Sequence, residues 1–235
     1  MPITWPADLI PISLSFWLQP NAVGLESPIN RARQVLARDG TRWMCELDFT
    51  SLDQIKAGRV HALIARMKGG AETVALWDFA RPTPKGSAAP WPGGGTTTTW
   101  SGPTVWSGPT TWSGPTPPTA PALRVAAVQG AETIETWGWA AGALVLRAGD
   151  RLGLGGRLYM LTDDAGATTD SVGRATLSIA PPLRAAGLAG DALTTTTPTT
   201  TFEIAGNDAA QNRITPNGPG NHLDSLTLRF MESLR

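Results

Sequence analysis

Histidine, cysteine and tyrosine are nearly missing from this chain, with two, one and one among 235 residues. A lone Cys45 rules out a disulfide framework within the chain and leaves no cysteine pair at zinc-binding spacing. Its apolar neighbours Trp43, Met44 and Leu47 predict a buried thiol instead of a nucleophile. Charge is scarce as well: Asp, Glu, Lys and Arg make up 16%, against about 25% in an ordinary soluble domain. The 19 basic and 19 acidic residues cancel, so no overall field holds the chain on a phosphate backbone or an anionic membrane. Neither specific nucleic-acid binding nor membrane insertion is expected, and sparse, balanced charge favours association with other proteins. No stretch approaches the ~20 apolar residues of a membrane span. No basic region precedes the first apolar stretch, so no signal peptide is expected and the product should accumulate in the cytoplasm where it is made.

The signatures of catalysis are missing too. There is no Gly-x-Ser-x-Gly elbow, His-Glu-x-x-His helix or P-loop. His61 falls beside the apolar stripe of a helical segment, where packing or solvation explains it, and His222 lies in a Gly- and Asn-rich loop. Gly153-Leu154-Gly155-Gly156-Arg157-Leu158 starts like a dinucleotide fingerprint but lacks the last glycine and a following helix, and reads as a strand with a turn or bulge. Asp163-Asp164-Ala165-Gly166 could offer oxygens to Ca²⁺, yet the spacing is not that of an EF-hand loop, and a hairpin turn is the simpler use. No catalytic, cofactor-binding or metal-binding residue is assigned, and the chain is not expected to be an enzyme.

What is present is 41% hydrophobic residues, 26 Gly, 20 Pro and abundant Thr, a composition for strands and turns. The expected fold is mainly β with one main α-helix. An N-terminal β-sandwich or barrel-like domain with a packed helix precedes a small C-terminal β-sandwich or barrel. Residues 9 to 18 place Leu14, Phe16 and Leu18 on one side and Ser13, Ser15 and Trp17 on the other, as a half-buried strand does. Further strands are expected at 33 to 38 and 41 to 50, joined by a hairpin turn at Asp39-Gly40. After Ser51, a candidate N-cap, residues 52 to 68 gather Leu52, Ile55, Val60, Leu63, Ile64 and Met67 on one helical stripe, which Gly69-Gly70 ends. A strand at 72 to 79 closes this first unit. From about 122, candidate strands at 122 to 128, 132 to 139, 143 to 147, 151 to 161, 173 to 179, 201 to 205 and 223 to 231 form the second. The expected division is 1–81, a linker at 82–121, and 122–235.

The linker holds a tandem repeat, Trp100-Ser-Gly-Pro-Thr-Val, Trp106-Ser-Gly-Pro-Thr-Thr and Trp112-Ser-Gly-Pro-Thr. Six residues span about 20 Å as a strand or two turns of polyproline II, and either form aligns Trp100, Trp106 and Trp112 on one side. Three readings stand: an incidental low-complexity linker, a strip of aromatic anchors docking on a protein, or a platform stacking on the sugar rings of a host polysaccharide.

A family resemblance rests on the order of several motifs. A strand bearing Trp17 and the pair Arg42-Trp43 precede a helix ending Leu63-Ile64-Ala65-Arg66-Met67-Lys68-Gly69-Gly70. Val74-Ala75-Leu76-Trp77-Asp78 and Arg81-Pro82 follow. In the second half come Ala148-Gly149-Asp150-Arg151-Leu152, Gly155-Gly156-Arg157-Leu158-Tyr159, Gly173-Arg174-Ala175-Thr176-Leu177 and Ile179-Ala180-Pro181-Pro182-Leu183-Arg184. This succession, over most of residues 9 to 80 and 122 to 205, resembles short bacteriophage tail proteins of the distal-tail or tail-tip (baseplate) kind; the hexapeptide repeat has no counterpart in it. The resemblance implies a virion structural subunit, assembled in the host cytoplasm, whose β-rich first domain forms a homo-oligomeric ring, often hexameric. Its implied partners are the tail tube, the hub, and receptor-binding or fibre proteins. The alternative is a carbohydrate-binding tail adhesin that takes a host surface glycan through its aromatic residues.

Overall fold

A computed structural model of the chain describes residues 1–6, 8–88, 120–206, 212–214 and 223–234. The fold is mainly β, with a single α-helix among the described residues. In chain order the elements are β1 (Ile3–Thr4), β2 (Ser13–Glu26), β3 (Arg33–Leu52), α1 (Gln54–Met67), β4 (Val74–Leu76), β5 (Ala122–Leu123), β6 (Thr133–Trp137), β7 (Leu144–Leu146), β8 (Arg151–Leu154), β9 (Arg157–Leu161), β10 (Ala167–Thr168), β11 (Ala175–Ala180), β12 (Leu193–Thr194), β13 (Thr200–Ile204), β14 (Asn212–Ile214) and β15 (Leu223–Glu232). They form two compact units. One comprises Met1–Pro82, Gly156–Leu158 and Thr196–Arg235, the other Thr83–Gly155 and Tyr159–Thr195.

The first unit is built on one sheet in the order β1-β4-β13-β15-β3-β2, with β14 added on β15. Period-2 alternation decides its buried face: Trp43, Cys45, Leu47 and Phe49 of β3 and Leu226, Leu228 and Phe230 of β15 are all within 1% of full burial. Cross-strand register matches them, Leu47 lying opposite both Leu228 and Leu14, and Cys45 opposite Phe230 and Phe16. The helix buries Val60, Leu63 and Met67 and packs on β3. A buried carboxylate finishes one end of the sheet: Glu232 accepts from the Trp43 backbone N–H (3.1 Å) and from the Thr200 hydroxyl (3.4 Å).

Three expectations need correction here. The helix is capped by Asp53, whose carboxylate accepts from the Lys56 N–H at 2.7 Å, and not by Ser51, because β3 keeps its pairing through Leu52. The helix does end where expected, at a left-handed Lys68 followed by Gly69 and Gly70, both at positive φ. Asp39-Gly40 does not turn the hairpin. The strand runs straight through it, and the register jumps from Gln19↔Arg42 to Asn21↔Arg38, so a bulge sits opposite Pro20, which has no N–H to donate. Gly40 takes φ +106° there; the left-handed backbone that suits a two-residue turn suits a bulge equally. Lastly, β13 and β15, expected in the second unit, complete the first: β13 pairs with β4 and β15 with β3. Burying Phe202 and Phe230 requires those partners.

The second unit has short strands in the order β12-β8-β9-β11-β6-β5, and an Ala122↔Ala192 bridge brings the two ends together into a near barrel. Its core includes Leu123, Ile134, Trp139, Val145, Tyr159 and Leu177. The Trp139 indole N–H donates to the Thr136 hydroxyl, which donates to the Ala175 carbonyl, both at 2.9 Å. β10 pairs with β7. Gly155 and Gly156, both at positive φ, make the two-residue turn between β8 and β9, which settles that stretch as strand, turn and strand.

Two segments of this unit, Leu123–Ala131 and Leu183–Asp191, are locked together by reciprocal backbone bonds at constant spacing. Leu123 N–H donates to Asp191 O and Leu183 N–H to Ala131 O, each at 2.9 Å. Gly130 N–H donates to Leu183 O and Gly190 N–H to Leu123 O, each at 2.8 Å, while Ala127 and Gly187 exchange both bonds. The sequences match at the positions that count: Leu123-Arg124 with Leu183-Arg184, Ala126 with Ala186, and Gly130 with Gly190, whose φ values are +84° and +95°. This is a local pseudo-twofold, and it is tight: a Cβ at Gly187 would stand 2.5 Å from Leu123 Cδ1.

Candidate functional site: an exposed hairpin arm

Beyond the bulge at Pro20 the hairpin of β2 and β3 leaves the packed sheet. Its ladder continues through Val23↔Leu36, Gly24↔Val35, Leu25↔Gln34 and Glu26↔Arg33, an arm about 20 Å long at ~3.4 Å per residue. The loop at its end is held by local bonds. Ser27 and Ala32 close it backbone to backbone at 2.9 Å, Arg31 N–H donates to Ser27 O at 2.9 Å, and the Asn30 side-chain oxygen accepts from the Ala32 N–H at 3.1 Å. Arg31 adopts φ +54° to make the turn.

Every described side chain from Gln19 to Glu26 is exposed. Among them and their partners, Leu25 is 66% exposed, Val35 56%, Leu36 55% and Ile29, at the tip, 94%. Alternation and register put Val23, Leu25 and Leu36 on one face. Since β2 ends the sheet order, the outer edge of the arm also presents its main-chain donors and acceptors without a neighbouring strand among the described residues. Covering a fully exposed aliphatic side chain is worth about 1.5–3 kcal/mol, and an open edge is a template for another strand. The arrangement can bind protein, through apolar contact and strand addition.

The residues singled out from the sequence fall elsewhere. Trp100, Trp106, Trp112 and His222 lie outside the described residues. Cys45 is 1% exposed, and burial first, then the charges of Asp78 and Glu46, push its thiol far above the usual range, which suits packing and not nucleophilic attack. His61 is exposed on α1. Asp163 serves a turn: its carboxylate accepts from the Ala165 N–H (3.0 Å) and its carbonyl from the Gly166 N–H (2.9 Å). No group of three or more His, Cys, Asp or Glu among the described residues is placed to hold a metal ion, and no described helix is long and apolar enough to cross a membrane.

The arm was not foreseen as a site. Its signal was available in Val23 and Leu25, which resume an alternation past Pro20 in the opposite phase, and in Ser27-Pro28-Ile29-Asn30, a better turn sequence than Asp39-Gly40. Searches for similar proteins add no identification: no protein-family model and no curated protein matches the chain.

Proposed function

We propose that this chain is a non-enzymatic structural subunit of a bacteriophage tail tip, of the distal-tail kind. It assembles with copies of itself into a ring. The ring joins the tail tube to the hub or to receptor-binding proteins. The observation that carries the reading is the arm. A two-stranded ribbon with apolar side chains on an open face is marginal in water by itself, and a subunit that completes it with a neighbour gains both the apolar area and the edge hydrogen bonds. Head-to-tail contacts of this sort close into rings when the rotation between copies is right. The resemblance of the order of sequence motifs to that of phage tail proteins supplies the setting, and the virion is the location this reading assigns.

Native mass spectrometry of the full chain, alone and mixed with tail-tube and hub proteins, tests the proposal. Closed oligomers, and density for the chain at the tail tip of assembled particles by electron microscopy, are the expected results. A protein that stays monomeric in every mixture and is missing from particles would overturn it.

A further inference from the structure

The surface of the second unit carries a polar groove of about 560 Å³ that the assembly reading leaves without a task. Its floor is a row across neighbouring strands. Arg124 pairs with Glu135 of β6 at 3.3 Å, and Glu135 stands opposite Thr176 of β11. Asp163, Asp170 and Arg174 line the groove with them. The backbone holds several of these groups in place: the Asp170 carboxylate accepts from the Val172 N–H (2.9 Å) and the Arg174 N–H (2.8 Å), and Arg124 N–H donates to Glu135 O (2.8 Å).

The chemistry of the lining narrows the ligand. No aromatic or large aliphatic side chain lines the groove, so an apolar molecule gains nothing there. Three carboxylates repel a polyanion and two guanidinium groups repel a polycation. Carboxylates accept from paired hydroxyls, guanidinium groups donate to ring and hydroxyl oxygens, and a threonine hydroxyl does both. We infer that this groove binds a neutral saccharide of two or three sugar residues; a bacterial surface polysaccharide as its source rests on the proposed function. Binding at a single groove is weak, of roughly millimolar Kd, because no ring stacks on the sugar and the polar groups must shed water. Several copies held in one particle would raise the effective affinity, a consequence that rests on the assembly reading; the binding itself does not.

The test uses the full chain as a monomer or oligomer, whichever it forms. An array of neutral and uronate-containing oligosaccharides from bacterial O-chains and capsules selects a probe, which is then titrated while amide resonances are followed. Shifts confined to residues around Glu135, Asp170 and Thr176 are expected, with neutral sugars favoured over uronates. Glu135→Ala and Thr176→Val, both at exposed positions, should each weaken binding about tenfold with unchanged spectra elsewhere, while Leu25→Ala on the arm leaves it alone. No binding at tens of millimolar, shifts centred outside the groove, equal binding of uronates, or variants that bind normally would each overturn the inference.

Discussion

One hairpin of this protein contains two environments. At its base, β2 and β3 are flanked by β15, and Leu14, Phe16, Trp43, Cys45 and Leu47 share a buried or half-buried face. Beyond Pro20 the same two strands stay paired in a shifted register, yet their described side chains are exposed. Backbone pairing is common to both ends, so pairing is not what distinguishes them; burial is. The base is held by apolar area removed from water, whereas the arm's described apolar side chains stay in water and its ladder and loop bonds hold it together. An apolar arm left in water is the feature on which the proposed assembly rests.

Deleting the same atoms at both ends separates the two environments. Leu47→Ala removes a side chain with no exposed surface and should cost about 2–5 kcal/mol. Leu25→Ala, at 66% exposure, should stay within about 0.5 kcal/mol when the chain is dilute, but weaken any self-association. Chemical denaturation of both variants, with sedimentation across concentrations, checks this. Equal losses of stability at the two positions would mean that the arm is packed and not displayed.

The same contrast explains how much of the molecule could be read from its sequence. Where burial imposes a period, the pattern was plain: Leu14, Phe16 and Leu18 announced the base of β2, and Val60, Leu63 and Met67 announced the helix. Where the backbone takes a special conformation for a long-range reason, local signals misled. Asp39-Gly40 carries turn chemistry, and the choice between turn and bulge is made by Pro20 on another strand. The reciprocal locking of Leu123–Ala131 with Leu183–Asp191 was hidden because only Leu, Arg, Ala and Gly recur, and sparse identities between short segments gain meaning only when the hydrogen bonds are seen. The groove row of Arg124, Glu135 and Thr176 likewise depends on strand register, which no spacing along the chain encodes. The tryptophan repeat, the most conspicuous motif in the sequence, lies outside the described residues.

The second unit differs from the base of the hairpin in relying on polar groups to tie short strands together. Asp150 is fully buried and accepts from the backbone N–H groups of Lys85 (2.9 Å), Gly86 (3.2 Å) and Arg147 (2.8 Å). Gly86 has no alternative position, since a Cβ there would lie 2.2 Å from the Val145 carbonyl oxygen. Asp150→Ala leaves buried donors unpaired and should cost about 3 kcal/mol, read as a lower denaturation midpoint. The accompanying hydrogen-exchange change should fall on residues 83–88 and 145–150. A loss spread evenly over both units, or none, would show that this carboxylate is not the local tie.

The smallest effect concerns Asp170, on the surface of the same unit. Slight desolvation raises its pKa, but the backbone N–H groups of Arg174 and Val172 and the positive charges of Arg174 and Arg124 outweigh that and hold it below its ordinary value. A carboxylate whose folded-state pKa is depressed stabilises the fold above its unfolded pKa of about 3.9, and that contribution disappears as pH falls through the folded-state value. Asp170→Asn keeps an oxygen for the two N–H groups and removes only the charge. The variant should therefore be slightly less stable than the parent near neutral pH and converge with it in strong acid, with the gap closing below about pH 4. Urea titrations over that range decide the matter: a gap that is constant with pH would assign the residue's contribution to its hydrogen bonds and not to its charge, and would remove the electrostatic part of the contrast between the polar second unit and the apolar base of the hairpin.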